Sequence, residues 1–254
     1  MKASIVVKFD HVTLRVRDTL ILPDTNWQID RGQHWAILGP NGAGKTTLFN
    51  IITGHYKPDR GKILFQGEAI EGLAPHQIFK KKVYRTFQIT REFSQMTVLE
   101  NLMIMPEHQA GEKIWNTWFR LSAVRNQEAE LRDRALEVLE FVELIKLKDE
   151  YAGSLSGGLQ RILDIAKALL CNPSLLLVDE PSVGLSPLIA QNIYEELLAL
   201  KAEGRTILLV DQDVRSAMAV ADEVYVLDLG AVKTHGTKEN FEGQLGDVVR
   251  NWLI

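Results

Sequence analysis

The sequence predicts an α/β fold: a core built on a parallel sheet, a small antiparallel β-subdomain ahead of it, and a helical subdomain inserted into it. Three observations predict this. Trp35-Ala36-Ile37-Leu38 is an apolar run without polar alternation, as a strand covered on both faces requires. Residues 174–178 and 206–210 repeat that pattern around a helical stretch at residues 189–202, so strand, helix and strand follow one another as in a crossover unit. Between the first run and these two, residues 89–165 read as helical, which places a helical insertion inside the α/β core.

Taken in order, residues 5–30 read as short strands, with Phe9, Val12, Leu14 and Val16 followed by residues 20–22 and with Pro23-Asp24 as punctuation. A small antiparallel sheet is expected there. The run at residues 35–38 stops at Gly39, and residues 46–53 then place Leu48, Ile51 and Ile52 on one helical face closed by Gly54. After a turn at Lys57-Pro58-Asp59-Arg60-Gly61, Ile63-Leu64-Phe65 reads as a further strand. Inside the insertion Leu131, Ala135, Val138 and Val142 recur at helical spacing, with Glu128, Arg132, Glu137 and Glu140 on the solvated side. The helix at residues 189–202 ends at Gly204. No internal repeat is present, and one domain of residues 1–254 is expected. Residues 1–87 and 166–254 form its α/β core with the β-subdomain, and residues 88–165 its helical subdomain.

The totals exclude several classes. With 254 residues, 46% of them hydrophobic, the chain can bury a substantial core. A formal charge of -4 and a pI near 5.9 give no basic footprint for a nucleic-acid backbone, so no nucleic-acid partner is expected. Cys171, the single cysteine, has no partner for an intramolecular disulfide, and its place after Ala168-Leu169-Leu170 suits a buried small residue in a reducing compartment. Ile5-Val6-Val7 is too short for a secretory apolar region, and the richest apolar stretch, residues 168–178, is broken by Asn172-Pro173. Membrane association is therefore expected to go through a partner. The six histidines show no spacing that converges on a metal. Trp115, Trp118 and Phe119 read as core packing rather than a partner surface, and Lys80-Lys81-Lys82 as a solvated face.

Gly39-Pro40-Asn41-Gly42-Ala43-Gly44-Lys45-Thr46 is a phosphate-binding loop standing where its physics requires, after a buried strand and opening a helix. Its glycines let backbone N–H groups turn around phosphate oxygens, and the helix N-terminus adds its positive end. Lys45 is expected to reach the β- and γ-phosphates of ATP and the Thr46 hydroxyl to hold Mg²⁺, with Thr47 completing the nucleotide-binding set. The fold class is thereby a P-loop nucleotide-binding core. Leu175-Leu176-Leu177-Val178-Asp179-Glu180 supplies the other half: carboxylates at the end of a buried parallel strand project into the crevice where such sheets bind ligands. Asp179 can bind Mg²⁺ through water, and Glu180 can orient or deprotonate the attacking water.

Leu155-Ser156-Gly157-Gly158 resembles the signature of ABC transporter ATP-binding subunits, a glycine turn at a helix N-terminus lying between the phosphate loop and the Asp-Glu strand in that family's order. The resemblance covers nearly the whole chain. It implies that Ser156, Gly157 and Gly158 face the γ-phosphate held by a second ATP-binding subunit, identical or paralogous. It implies too that Gln88, in Tyr84-Arg85-Thr86-Phe87-Gln88, senses the γ-phosphate, ligates Mg²⁺ and leads into a lobe that touches transmembrane permease subunits. A substrate-binding protein is implied indirectly, and the location implied is the cytoplasmic face of the inner membrane. Arg85-Thr86-Phe87-Gln88, Met96-Thr97-Val98-Leu99-Glu100-Asn101, residues 53–58 and Asp247-Val248-Val249-Arg250 are similar to the ATPases of branched-chain amino acid importers. Urea-type importers and lipopolysaccharide exporters have closely related ATPases. Soluble ABC proteins acting on nucleic acid or ribosomes usually carry two nucleotide domains or a long coiled coil, whereas this chain has one phosphate loop and no sustained heptads.

Four positions depart from that family's pattern. Val16 and Arg17 stand where an aromatic commonly stacks on adenine, leaving the Arg17 guanidinium plane as the alternative platform. Leu159 replaces a glutamine or glutamate, Ser186 an aspartate or asparagine, and Gln212 the switch histidine. An amide at residue 212 can still donate a hydrogen bond to the γ-phosphate but cannot become cationic, so slower hydrolysis is expected.

Overall fold

The computed structural model describes residues 5–86, 92–106 and 121–242, and the chain divides into two units: Met1–Gln88 with Ser174–Ile254, and Ile89–Pro173. Phe87, Gln88, His108, Trp115, Trp118, Phe119 and residues 247–250 lie outside the described residues.

The first unit holds two sheets. In one, β1 (Ile5–Val16) pairs antiparallel with β2 (Thr19–Asp30) on one side and β4 (Arg60–Phe65) on the other, and β5 (Glu68–Ala69) completes the order β2-β1-β4-β5. The strands are longer than expected. Pro23-Asp24 does not punctuate but lies inside β2, between the pairs Leu22↔Leu14 and Thr25↔Val12, with Asp24 at φ 50. That irregularity hides the alternation, and it is tolerated because β2 is the edge of its sheet, where a missing N–H breaks no second ladder.

The second sheet runs β10-β9-β3-β8-β7-β6, formed by β3 (His34–Leu38), β6 (Val83–Arg85), β7 (Leu175–Asp179), β8 (Ile207–Val210), β9 (Glu223–Asp228) and β10 (Ala231–Thr237). All neighbours are parallel except β10, which pairs antiparallel with β9. Every residue of β3, β7 and β8 is buried, the reason their sequences carry no polar alternation. The helices of this unit are α1 (Lys45–Ile52), α2 (Pro75–Lys80), α6 (Pro187–Ala202), α7 (Val214–Val220) and α8 (Lys238–Glu242). One apolar cluster joins the two sheets and α1 through Val7, Phe9, Ile29, Phe49, Leu177 and Leu208, among others.

The second unit contains α3 (Val98–Met103), α4 (Leu121–Phe141) and α5 (Gly157–Leu170). Thr97 and Glu100 close a capping box on α3, with the Glu100 N–H donating to Thr97 Oγ1 at 3.2 Å and the Thr97 N–H to Glu100 Oε2 at 2.8 Å. Helix α4 buries Leu131, Ala135 and Leu139; Val138 is only half-buried, and Val142 is buried just beyond the helix end. Helix α5 belongs to this unit for its whole length, so the return crossing falls at 173/174 rather than at the 165/166 boundary expected from the sequence. Cys171, expected to be buried, is half-buried at the C-cap of α5.

Candidate functional site

The loop of residues 39–44 leaves the carboxyl end of β3 and turns into α1. A Cβ on Gly39 would stand 2.2 Å from the Leu227 carbonyl oxygen of β9, so only glycine fits. Gly44, the N-cap of α1, has φ 99, which side chains rarely adopt. As at any helix start, the first N–H groups of α1 have no intrahelical acceptor and sit at the positive end of the helix dipole. No atom lies within 4 Å of a Cβ built on Gly42, which leaves that side of the loop open to an approaching anion. The loop therefore fits a phosphate group.

Lys45 is 5% exposed and donates from Nζ to the carbonyls of Gly39 at 2.6 Å and Pro40 at 3.0 Å. Burial pulls its ammonium below the ordinary lysine range, while the negative charges of Glu180, Asp179 and Asp211 push it back up. The charges of three carboxylates from the ends of β7 and β8 thus act on this amine. Asp179 is the last residue of β7 and 4% exposed; Glu180 follows at 8%. The backbone of Glu180 is left-handed, φ 44, and its N–H donates to the Val210 carbonyl at 2.8 Å. Gln212 Nε2 donates to Glu180 Oε1 at 2.9 Å. The exposed hydroxyl of Thr46 and the carboxylate of Asp179 are hard oxygen donors of the kind that hold Mg²⁺ alongside phosphate, so this donor set fits that ion.

Residues 39–47, Asp179, Glu180 and Gln212 are thus positioned by the carboxyl ends of β3, β7 and β8, which are adjacent in the sheet. Val16 pairs with Thr19 at the end of the β1–β2 hairpin and packs, half-buried, against the apolar cluster, while Arg17 at φ 55 is exposed. Ser156, Gly157 and Gly158 belong to the second unit. Ser156 is the N-cap of α5, its Oγ accepting from the Leu159 N–H at 3.5 Å, and no atom lies within 4 Å of a Cβ on Gly157. Gln88 lies outside the described residues.

Two further residues at the site have no role assigned by the sequence motifs. Arg85, on β6, donates to Asp179 Oδ2 at 2.6 Å and to Asn50 Oδ1 at 2.7 Å, with its guanidinium 5.4 Å from the centre of the Phe49 ring. It ties the phosphate-loop helix to the carboxylate strand. A cation at the end of a strand bordering the Asp-Glu strand was the available signal. Asp211, one residue past β8 and 1% exposed, accepts from the N–H groups of Gln212 at 2.6 Å and Asp213 at 3.0 Å.

A family model for ABC transporters matches residues 22–183. The chain is 34% identical over 249 residues to the high-affinity branched-chain amino acid transport ATP-binding protein BraF of Pseudomonas aeruginosa, covering 98% of this chain and 97% of the relative. It is 35% identical over 241 residues to the corresponding protein LivG of Escherichia coli, covering 94% of each. Among solved structures, the ADP conformation of MJ1267, an ATP-binding cassette of an ABC transporter, is similar with a TM-score of 0.83 and 31% identity, covering 98% of both chains.

Proposed function

Because the chain belongs to the ABC transporter ATP-binding family, whose members hydrolyse ATP to power transport, we propose that it energises the import of branched-chain or other hydrophobic amino acids. The observation that supports the ATPase site is that Asp179, Glu180, Gln212 and the loop leading to Lys45 leave the carboxyl ends of three adjacent strands, with Gln212 bonded to Glu180 and the carboxylate charges acting on Lys45. The observation that supports the substrate class is the end-to-end similarity to importer ATPases named for that substrate.

In this reading the N–H groups of the loop and Lys45 hold the β- and γ-phosphates of ATP. Thr46 and Asp179 hold Mg²⁺, which when bound neutralises phosphate charge. Glu180, a buried carboxylate, orients the attacking water and accepts its proton. Gln212 keeps Glu180 in place and retains a second amide N–H for the γ-phosphate. Ser156, Gly157 and Gly158 offer a helix start, exposed at Ser156 and Gly157, to the nucleotide of a second ATP-binding subunit, and Gln88 senses the γ-phosphate. In this reading the chain acts at the cytoplasmic face of the membrane through transmembrane permease subunits; no described helix is itself long and apolar enough to cross a membrane.

The test is ATP-driven uptake by vesicles carrying the chain assembled with its transmembrane permease subunits. Labelled leucine, isoleucine and valine should accumulate, and Glu180→Gln should abolish accumulation. Uptake of urea instead, or export of lipid, would assign the chain to a related ABC system.

A further inference from the structure

Asp211 is a buried carboxylate to which the proposed hydrolysis gives no chemistry, yet both its oxygens are engaged. Oδ1 accepts from the main-chain N–H groups of Gln212 and Asp213, at 2.6 and 3.0 Å. Oδ2 accepts from the phenol of Tyr194, which comes from the middle of α6 and is 6% exposed. The Ser182 hydroxyl, in the loop after β7, lies 3.4 Å from each oxygen. Gln212, held by its main chain to Asp211, donates its side-chain amide to Glu180 at 2.9 Å.

The directions of these bonds are fixed by chemistry. A carboxylate can only accept, so the nitrogen of the Gln212 amide faces Glu180 and the phenol supplies the proton to Asp211. Burial, the Asp211 charge and the hydrogen bond to it all push the Tyr194 phenol upward, so it stays protonated and remains a donor. Burial also raises the Asp211 carboxyl, and the bonds from Tyr194 and the two N–H groups oppose that rise. Without the phenol, Asp211 would keep its main-chain bonds but lose the anchor that links it to a packed helix.

We propose that Tyr194 is a positioning residue for ATP hydrolysis: through Asp211 it fixes the Gln212 loop, and through that loop it fixes Glu180. The proposal rests on the reading of Glu180 as the residue that handles water and of Gln212 as its holder. Tyr194 acts through its hydroxyl, two side chains away from the chemistry.

The experiment compares Tyr194→Phe, Gln212→Ala and the double variant in the full-length chain, measuring steady-state ATP hydrolysis, ATP affinity and thermal unfolding. Tyr194→Phe should lower kcat about tenfold while KM and ATP affinity stay within about twofold. In the Gln212→Ala background the same change should cost less than about twofold, because the link it acts through is gone. If Gln212→Ala is as active as the parent, both the role of Gln212 and this proposal fall. If Gln212→Ala is impaired but Tyr194→Phe is not, only the proposal falls. Multiplying losses in the double variant, or a lower unfolding temperature with unchanged kcat, would reduce Tyr194 to a packing residue. Should Tyr194→Phe not fold, Asp211→Ala, which removes the acceptor of the phenol, should also lower kcat about tenfold or more and cost less than about twofold in the Gln212→Ala background.

Discussion

His34 makes the stability of the first unit depend on acid. It is 2% exposed at the start of β3, and neither ring nitrogen makes a hydrogen bond of good geometry. Burial, and then the charge of Lys201, lower its pKa from 6.5 to about 4; the Asp222 carboxylate and the Val220 carbonyl oppose the shift without reversing it. Lys201 is held nearby by its own ion pair with Asp222 at 2.6 Å. A depressed histidine is neutral in the folded state, so stability is complete above pH 6.5 and is lost as pH falls towards 4, where only the unfolded chain takes up the proton. The separation corresponds to about 3 kcal/mol when fully developed, and to about 2 kcal/mol at pH 5. Urea unfolding followed by circular dichroism at pH 7.5 and pH 5.0 measures it against His34→Leu, which cannot titrate. The variant should lose about 2 kcal/mol less than the parent between the two conditions. An equal loss in both proteins would mean that His34 takes up its proton as readily folded as unfolded, and the burial argument would be wrong.

Glu180→Gln should keep ATP binding and lose nearly all hydrolysis, so that an ATP-bound dimer accumulates; gel filtration with ATP reads the dimer, and near-normal turnover would refute Glu180 as the base. Lys45→Ala should lose nucleotide binding itself, seen as loss of fluorescent-nucleotide titration, because the amine is the loop's one cation. Arg85→Met leaves the carboxylate of Asp179 buried without its cation and should cost about 3 to 5 kcal/mol of stability by chemical unfolding. Arg85→Lys should recover only part of this, since a single ammonium cannot reproduce the fork that joins Asp179 to Asn50.

The parts of this molecule legible in the sequence are those whose cause is local. Strands β3, β7 and β8 announce themselves because a strand covered on both faces has no polar positions. The loop at residues 39–46 is readable because glycines, a lysine and a threonine at this spacing, between a buried strand and a helix, are the pattern that a phosphate group calls for. What failed had a cause elsewhere in the chain. The length of β1 and β2 was hidden by irregular pairing, which breaks the period of two. Strand β9 is less legible than β8 because its apolar run, Val224 to Leu227, includes Tyr225 and is bounded by Glu223 and Asp228. The late return to the α/β core is not legible because Ile162, Leu163 and Ile165 of α5 are buried apolar residues, and an apolar helical pattern does not say which unit covers it. Arg85 and Asp179 stand 94 positions apart, and no spacing rule joins them.

Glu180 shows why those long-range contacts matter for chemistry. A glutamate in the left-handed region, φ 44, costs on the order of 1 to 3 kcal/mol, and that conformation persists only where the surroundings over-determine it. Here the restraints come from one place. Its main-chain N–H is held by the Val210 carbonyl and its carboxylate by Gln212, so the last residue of β8 and the loop beyond it grip Glu180 at both ends. That loop is in turn gathered around Asp211 by two N–H groups and a phenol. The buried carboxylate at residue 211 would be a liability on its own, since burial alone disfavours its charge. It is sustained because the same hydrogen bonds that satisfy it also hold Gln212 in the one arrangement that donates to Glu180. Strain at Glu180 and satisfaction of the buried acid are therefore two sides of a single network, and a substitution that relaxes either should loosen the other.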